Sequence, residues 1–563
     1  MCGIYGVIGK TSTGQVIEKL KSLEYRGYDS CGMAYDYNNQ VFLDKTVGNT
    51  DRLRKLVPYR NIECGIGHTR WATHGSVTPI NAHPHTSVCR RFYLVHNGVL
   101  ENYRELIRQY QLVCQSDTDT EVIVQLLDLL MNKYSKVTDL FKELIGLLKG
   151  SFAIAFIDKE NPQTIYFYKN KSPLLIGKLG SKFEISSDQN VFEEGTNVMI
   201  LNDGDYGFIS PKGLVLLPLL QKHQSFIKAS APVCCKKTDH YMLDEIYYQK
   251  EMIQTIEQAY RSIDVREFQV LCNQCDEIVF VGAGSSYYAG LYLKNCYERL
   301  LGKRCSAVIA SEIESFSIVK DPLFVLISQS GETADLIRAL SHLKNKKQKT
   351  IALCNQIHSS IGYACDFVFP LFAGTEVAVA STKAFMAMIL VGKLLIAGDE
   401  IGLFSVKKRY IEKVLEKENE IRQLAKAVSK AEKVFFLGKG LYYPIALEGA
   451  LKLREISYLS AFAFYSGELK HGSIALVDQT TVCIGLLHTL EHENFIKSNL
   501  EETRSRGALT YLISNVDETA DLILPDAEVS FTVFVQLLAY YTALELNRNI
   551  DQPRNLAKSV TVY

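Results

Sequence analysis

Ile278-Val279-Phe280-Val281-Gly282-Ala283-Gly284 and Val434-Phe435-Phe436-Leu437-Gly438-Lys439-Gly440 are one pattern repeated at an offset of 156 residues. Each is a continuous apolar run followed by a Gly-x-Gly turn and an amphipathic helical stretch. A run without polar alternation reads as a strand buried on both faces. A chain that twice spells strand, glycine turn and helix is committed to parallel sheets covered by helices. Two doubly wound parallel α/β subdomains are therefore expected, at 246–404 and 405–550.

Residues 2–215 have another grammar. Strand-like runs such as Phe92–Val95, Phe152–Phe156 and Thr164–Phe167 cluster apart from a few helices, chiefly Gln15–Leu23 and Thr120–Leu130. That separation predicts an α+β sandwich. Residues 216–245, with Pro218, Cys234-Cys235 and Lys236-Lys237, read as a linker. Residues 551–563 form a C-terminal tail, expected to lie between the halves.

Lys+Arg and Asp+Glu are both 62, so net charge gives no attraction to nucleic acid or anionic lipid. No basic run carries interleaved aromatics, and nucleic-acid binding is not expected. The longest apolar stretch, Ala384–Gly398, contains Lys393 and is too short to span a bilayer. The 14 cysteines are scattered, and Cys272 and Cys275 lack a second pair at zinc spacing. The expectation is a cytoplasmic protein with no disulfide framework, no metal and no cofactor, a zinc knuckle at Cys272/Cys275 being the alternative.

The candidate chemistry begins at Met1-Cys2-Gly3-Ile4. Removal of Met1 leaves a thiol and a free α-amine on one residue. Such an amine titrates near ~7.7–8.0 and can serve its own thiol as a base. The bland reading is a cysteine in a buried first strand. Downstream lie Tyr25-Arg26-Gly27-Tyr28-Asp29-Ser30, His68-Thr69-Arg70-Trp71-Ala72-Thr73-His74-Gly75, His83-Pro84-His85 and His96-Asn97-Gly98. Asn97-Gly98 offers a side-chain amide and a backbone N–H for an oxyanion, or an ordinary tight turn. Arg70 suits a carboxylate or a surface ion pair. Asp119 suits an ammonium or a helix cap.

Taken in order, these motifs resemble the N-terminal-nucleophile glutamine amidotransferases over roughly the first 210 residues. The resemblance implies antiparallel sheets sandwiched between helices. It implies Cys2 as the nucleophile toward glutamine, Asn97 and Gly98 as oxyanion donors, and Arg70, Thr73, His74 and Asp119 as binders of the amino-acid end.

In the second half, Leu323–Ile327 runs into Ser328-Gln329-Ser330-Gly331-Glu332-Thr333 and a helix from Ala334. Hydroxyls and amides at a strand-to-helix turn suit a single phosphate monoester, the alternative being a well-capped helix. The Gly-x-Gly turns lack the third glycine of a dinucleotide site. Lys452 and Glu455 share a helix face, with a surface ion pair as the alternative reading.

The Ser-Gln-Ser-Gly-Glu-Thr turn in a duplicated α/β region resembles the sugar isomerase (SIS) family. Glu376–Lys383, Ala446–Glu455, Gly467–Gly472 and Asp551–Val562 extend the likeness. With the amidotransferase half in front, the chain resembles the glutamine–fructose-6-phosphate aminotransferase family nearly end to end. That implies glutamine and fructose 6-phosphate as partners in a homodimer. It implies Glu455 as the proton-moving base, His471 reaching in from the partner subunit to open the ring, Lys558 as the Schiff-base lysine and Lys452 as a charge stabiliser. Ser286, Ser328, Gln329, Ser330, Thr333, Val379 and Ser381 would bind the sugar phosphate, and Trp71 would gate an ammonia path. Ala283, Arg454 and Tyr248-Gln249-Lys250 depart from the family pattern without removing a proposed catalytic group. Two readings compete: a glutamine-dependent enzyme with another acceptor, such as a phosphoribosyl pyrophosphate amidotransferase, which would need a pyrophosphate-binding loop that is not found, and a catalytically silent sugar-phosphate sensor on the same scaffold.

Overall fold

The computed structural model describes residues 2–72, 74–217, 237–318, 321–398 and 404–560, and the backbone of 225–228. Thr73, most of the expected linker with Cys234-Cys235, and the last three tail residues lie outside that set. The chain divides into two compact units, Met1–Val233 with Ser559–Tyr563, and Cys234–Lys558.

The first unit contains two antiparallel sheets. The eight-stranded sheet runs Ser225–Lys228, Asn197–Ile200, Leu175–Leu179, Lys182–Ser186, Gly3–Ser12, Asn61–Arg70, Ser30–Tyr37, Gln40–Val47. The six-stranded sheet runs Gly213–Leu217, Tyr206–Ser210, Asn161–Asn170, Gly150–Asp158, Phe92–Leu100, His85–Thr86. Period-two alternation sets the layers. Tyr93 and Val95 face Ile4, Ile8 and Ile66 in a core between the sheets. Phe92 and Leu94 face outward onto the helices Asp119–Met131 and Val137–Leu147. On the far side, Tyr5, Val7 and Met33 meet the helix Thr13–Lys21. The layering is helix, sheet, sheet, helix.

The first helix starts two residues before its expected start. Ser12 and Gln15 form a reciprocal capping box, which fixes the start at Thr13.

The second unit contains two five-stranded parallel sheets of identical order. The first runs Cys305–Ile309, Glu277–Gly282, Pro322–Ser328, Lys349–Cys354, Phe367–Pro370. The second runs Ser460–Tyr465, Lys433–Gly438, Thr481–Leu487, Leu509–Ser514, Leu522–Ile523. The sequence repeat is thus a repeat of topology. In each sheet, strand order reverses beside the repeated strand, and an open α/β sheet binds ligands at such a switch point. The apolar helix Lys383–Ala397 is buried in the core. Among the described residues, no helix is long and apolar enough to cross a membrane.

Candidate functional sites

In the first unit, Cys2 immediately precedes the strand Gly3–Ser12. That strand pairs with Asn61–Arg70 in register Gly3–Thr69, which brings Cys2 beside Trp71. The Trp71 N–H donates to the Cys2 sulfur at 3.3 Å, and the thiol donates to the Trp71 carbonyl at 3.5 Å. Burial pushes the thiol above its ordinary range, while the Trp71 backbone and Arg70 pull the other way.

Asn97-Gly98 is not a turn. Both residues lie inside the strand Phe92–Leu100. Asn97 Nδ2 donates to the Cys2 carbonyl at 3.0 Å. Gly98 has φ +119°, and a Cβ there would sit 2.0 Å from the Ser151 carbonyl oxygen. Only glycine lets the strand pass so close to its neighbour.

His68, whose Nε2 lies 3.1 Å from Asn97 Oδ1 and 3.0 Å from the His96 carbonyl, orients this amide. Both partners are acceptors, so Nε2 carries the proton. Sequence reading assigned His68 no role. It stacks on His83 at 4.1 Å, and His83 meets His85 edge-on at 4.9 Å. Burial drives all three imidazoles well down, His68 to about 3, so they are neutral at pH 7.

Arg70 is no surface pair. It is buried, and it donates to the His74, Gly75 and Ser76 carbonyls, at 2.5 Å for the first. It shapes the loop bearing His74, whose ring meets Tyr103 edge-on. Asp29, also unassigned from sequence, accepts the Ala72 N–H at 2.8 Å. Asp119 does not cap its helix: Thr118 holds the N-cap position, and Asp119 Oδ2 accepts the Leu100 N–H at 2.7 Å. Trp71 contacts Tyr28 edge-on.

In the second unit, the neighbouring strands Glu277–Gly282 and Pro322–Ser328 end side by side at the switch point. This places Ser286 and the turn 328–333 on one crevice. The well-capped-helix alternative fails here. Thr333 is the N-cap of Ala334–Asn345 but makes no side-chain capping bond. The serines fold the turn itself: Ser328 Oγ accepts the Gly331 N–H at 2.8 Å and Ser330 Oγ the Glu332 N–H at 3.1 Å. Gly331 has φ +65°, and a Cβ there would overlap Ser359 Oγ at 1.8 Å.

On the helix Tyr443–Ser457 a buried Lys452 pairs with the part-exposed Glu455, so the contact is not a free surface pair. Lys452 Nζ lies 2.6 Å from Glu455 Oε2, and 3.3 Å from both Glu448 Oε1 and Ser285 Oγ. Burial opposes the ammonium, but Glu448 and Glu455 outweigh it and hold the Lys452 pKa up. Burial raises Glu448 to about 7, helped by the Glu455 charge and opposed by Lys452. Glu448 and Ser285 carry no assignment from sequence. Ser285 donates to Glu448 at 3.0 Å and so ties this helix to the crevice.

Lys558 Nζ lies 2.5 Å from Glu376 Oε2 and 2.8 Å from the Ala378 carbonyl. Val379 N–H donates to the Asp551 carbonyl, and Ser381 Oγ to Glu376. His471 is exposed on the turn after Glu468–Lys470. Among the described residues, no group of three or more His, Cys, Asp or Glu is placed to hold a metal ion.

Residues 68–194 match the glutamine amidotransferase domain family, and residues 272–398 and 427–521 match the SIS domain. The chain is 40% identical to glutamine–fructose-6-phosphate aminotransferase [isomerizing] of Bacillus licheniformis, over 100% of both chains. It is 38% identical to the same-named protein of Bacillus subtilis, again over 100% of both. Among solved structures, the C-terminal domain of glucosamine-fructose-6-phosphate aminotransferase from Francisella tularensis aligns with TM-score 0.52 and 36% identity. It covers 57% of this chain and 100% of that one.

Proposed function

The chain belongs to the glutamine–fructose-6-phosphate aminotransferase family, and from that we propose how its own residues carry the reaction. Glutamine and fructose 6-phosphate become glutamate and glucosamine 6-phosphate. The observation that carries the scheme is that one chain holds both a Cys2 whose carbonyl is bonded by Asn97 Nδ2 and a buried lysine paired with Glu448 and Glu455 beside the turn of hydroxyls.

At the first centre, the α-amine exposed by loss of Met1 takes the Cys2 proton. The sulfur attacks the side-chain carbonyl of glutamine. Asn97 Nδ2 has a second hydrogen beyond the one given to Cys2, and with the Gly98 N–H it stabilises the oxyanion. Ammonia leaves and water hydrolyses the thioester. Arg70, Thr73, His74 and Asp119 hold the amino-acid end; Asp119 Oδ1 is the oxygen left for an ammonium, since Oδ2 serves Leu100. Trp71, bonded to the nucleophile through its backbone, gates the release of ammonia.

At the second centre, Ser286, Ser328, Gln329, Ser330 and Thr333 bind the phosphate, with Val379 and Ser381 against the sugar. His471 opens the ring. Lys558 forms an imine at C2, and ammonia displaces it. Glu455 then removes a proton from C1 and returns it to C2, which leaves an aldehyde at C1 and an amine at C2. Lys452 balances charge on the sugar oxygens. The exposure of His471, with Phe462, Tyr465 and Leu476 exposed nearby in sequence, supports a homodimer in which it serves the partner's site. A reaction between two small charged substrates, glutamine and fructose 6-phosphate, fits a cytoplasmic setting.

The test is product analysis with both substrates. Glucosamine 6-phosphate and glutamate in equal amounts are expected; glutamate alone would contradict the transfer.

A further inference from the structure

The segment 376–383 is organised around two buried carboxyls that the scheme above leaves unused. Glu376 is fully buried and rigidly held. Its Oε1 accepts the N–H groups of Thr382 and Ala384 at 3.0 Å each, and its Oε2 accepts the Ser381 hydroxyl at 3.3 Å. Oε2 also faces Lys558 Nζ at 2.5 Å, and the Lys558 side chain is only 3% exposed. Behind the segment, Glu245 on the helix Tyr241–Tyr260 accepts the Val377 and Ala378 N–H groups on Oε1. Its Oε2 is buried without a partner.

A buried carboxylate oxygen without a donor is costly, and a proton removes that cost. Burial, and the Glu376 charge after it, push Glu245 up to about 8, against the pull of Lys558 and Lys383. Burial also works to raise Glu376, but Lys558 and the backbone N–H groups hold it below the usual carboxylate range. Lys383 is occupied elsewhere: its Nζ donates to the Thr375 carbonyl at 2.5 Å and lies 4.8 Å over the Tyr248 ring. In this cluster Glu376 is the carboxylate of an ion pair with Lys558, and Glu245 beside it is a carboxylic acid at neutral pH.

An ammonium has no lone pair and cannot attack a carbonyl. We infer that Glu376 is the base that takes the proton from Lys558 Nζ before imine formation, with Glu245 holding its segment in place; this rests on the reading of Lys558 as the imine-forming lysine. One N–H bond of Lys558 breaks and one O–H bond forms on Glu376 Oε2. The freed pair attacks C2 of the open sugar, and an amine proton passes to the carbonyl oxygen. Glu376 then returns its proton to that hydroxyl, which leaves as water, and a protonated imine remains. In a dry site the exchange of an ion pair for a neutral pair is cheaper than in water, because burial penalises both charges. Loss of the lysine charge also removes the largest of the influences that hold Glu376 low.

The test uses the full chain and Glu376→Gln, which keeps an acceptor for Thr382 and Ala384 but cannot take a proton. The readout is borohydride trapping of fructose 6-phosphate on Lys558, mapped by mass spectrometry between pH 6 and 10. Glutaminase activity and fructose 6-phosphate binding on the same samples report the fold, and Glu376→Asp tests rescue by a carboxylate. Trapping in Glu376→Gln should fall about 10²-fold or more at pH 7, climb toward the wild-type rate as pH rises, and recover in Glu376→Asp. A residue that merely anchored Lys558 would lower trapping equally at every pH. That result, or wild-type trapping by Glu376→Gln at pH 7, overturns the inference. Trapping on a different lysine in the wild type overturns instead the reading of Lys558 beneath it.

Discussion

The backbone of Trp71 grips the Cys2 sulfur twice, donating its N–H at 3.3 Å and accepting the thiol at 3.5 Å. The proposed nucleophile and the backbone of the proposed gate are therefore bonded neighbours. Because burial keeps the thiol protonated at rest, attack needs a base on the spot, and the α-amine of the same residue is the proposed one. Cys2→Ala should abolish glutamine hydrolysis and leave fructose 6-phosphate binding intact, checked by glutamate release and calorimetry.

Asn97→Ala removes one of the two proposed oxyanion donors and should lower glutaminase kcat by about 10²–10³ with a smaller change in KM. Gly98→Ala should do more, since its Cβ would meet the Ser151 carbonyl at 2.0 Å and φ is +119°. A lower Tm should accompany the lost activity there, by more than in Asn97→Ala.

The stacked imidazoles make the glutaminase unit acid-sensitive. His68, His83 and His85 are buried neutral, with folded pKa values below the ordinary 6.5, His68 near 3. A depressed folded value gives stability that is complete above about 6.5 and falls as pH drops toward the folded value, because the unfolded chain binds more protons. At pH 5 His68 alone should cost roughly 2 kcal/mol relative to neutral pH, and His83 and His85 act in the same direction. A glutaminase-unit Tm that stays level from pH 7 to 5 would contradict this.

Lys452→Met leaves Glu448 and Glu455 without their shared cation. Breaking a buried pair on one side costs about 3–5 kcal/mol, so the second unit should melt earlier and sugar conversion should cease. Glutamine hydrolysis by the first unit is the control that should persist.

Asp551 secures the approach of the tail. Its two carboxylate oxygens accept the Tyr241 and Met242 N–H groups at 2.9 Å each, at the start of that helix, and its carbonyl accepts from Val379. Asp551→Ala should cost about 1 kcal/mol as a lost helix-terminus anion. It should also reduce borohydride trapping at Lys558, seven residues on.

Much of this was legible in the residues. The duplicated strand and glycine turn announced the two parallel sheets, and the first strand placed Cys2. What stayed open was local chemistry read without its neighbours. Asn97-Gly98 carries turn residues, yet pairing with Gly150–Asp158 extends it as strand. Asp119 has the chemistry of a cap, but Thr118 takes that place. The serines of 328–333 look like helix caps and instead bond within their own turn. Glu245 and Glu376 lie 131 residues apart, and no short-range pattern signals that a helix start and a distant loop will bury them together. His68 was visible in its motif, but its hold on Asn97 depends on which strands pair across the two sheets.

The central claim is that nitrogen released at Cys2 is the nitrogen that reaches the sugar. The direct measurement supplies amide-¹⁵N glutamine and fructose 6-phosphate in excess unlabelled ammonium and reads the isotope in glucosamine 6-phosphate. The account expects label at the enrichment of the glutamine. Product at the enrichment of the bulk ammonium would contradict it.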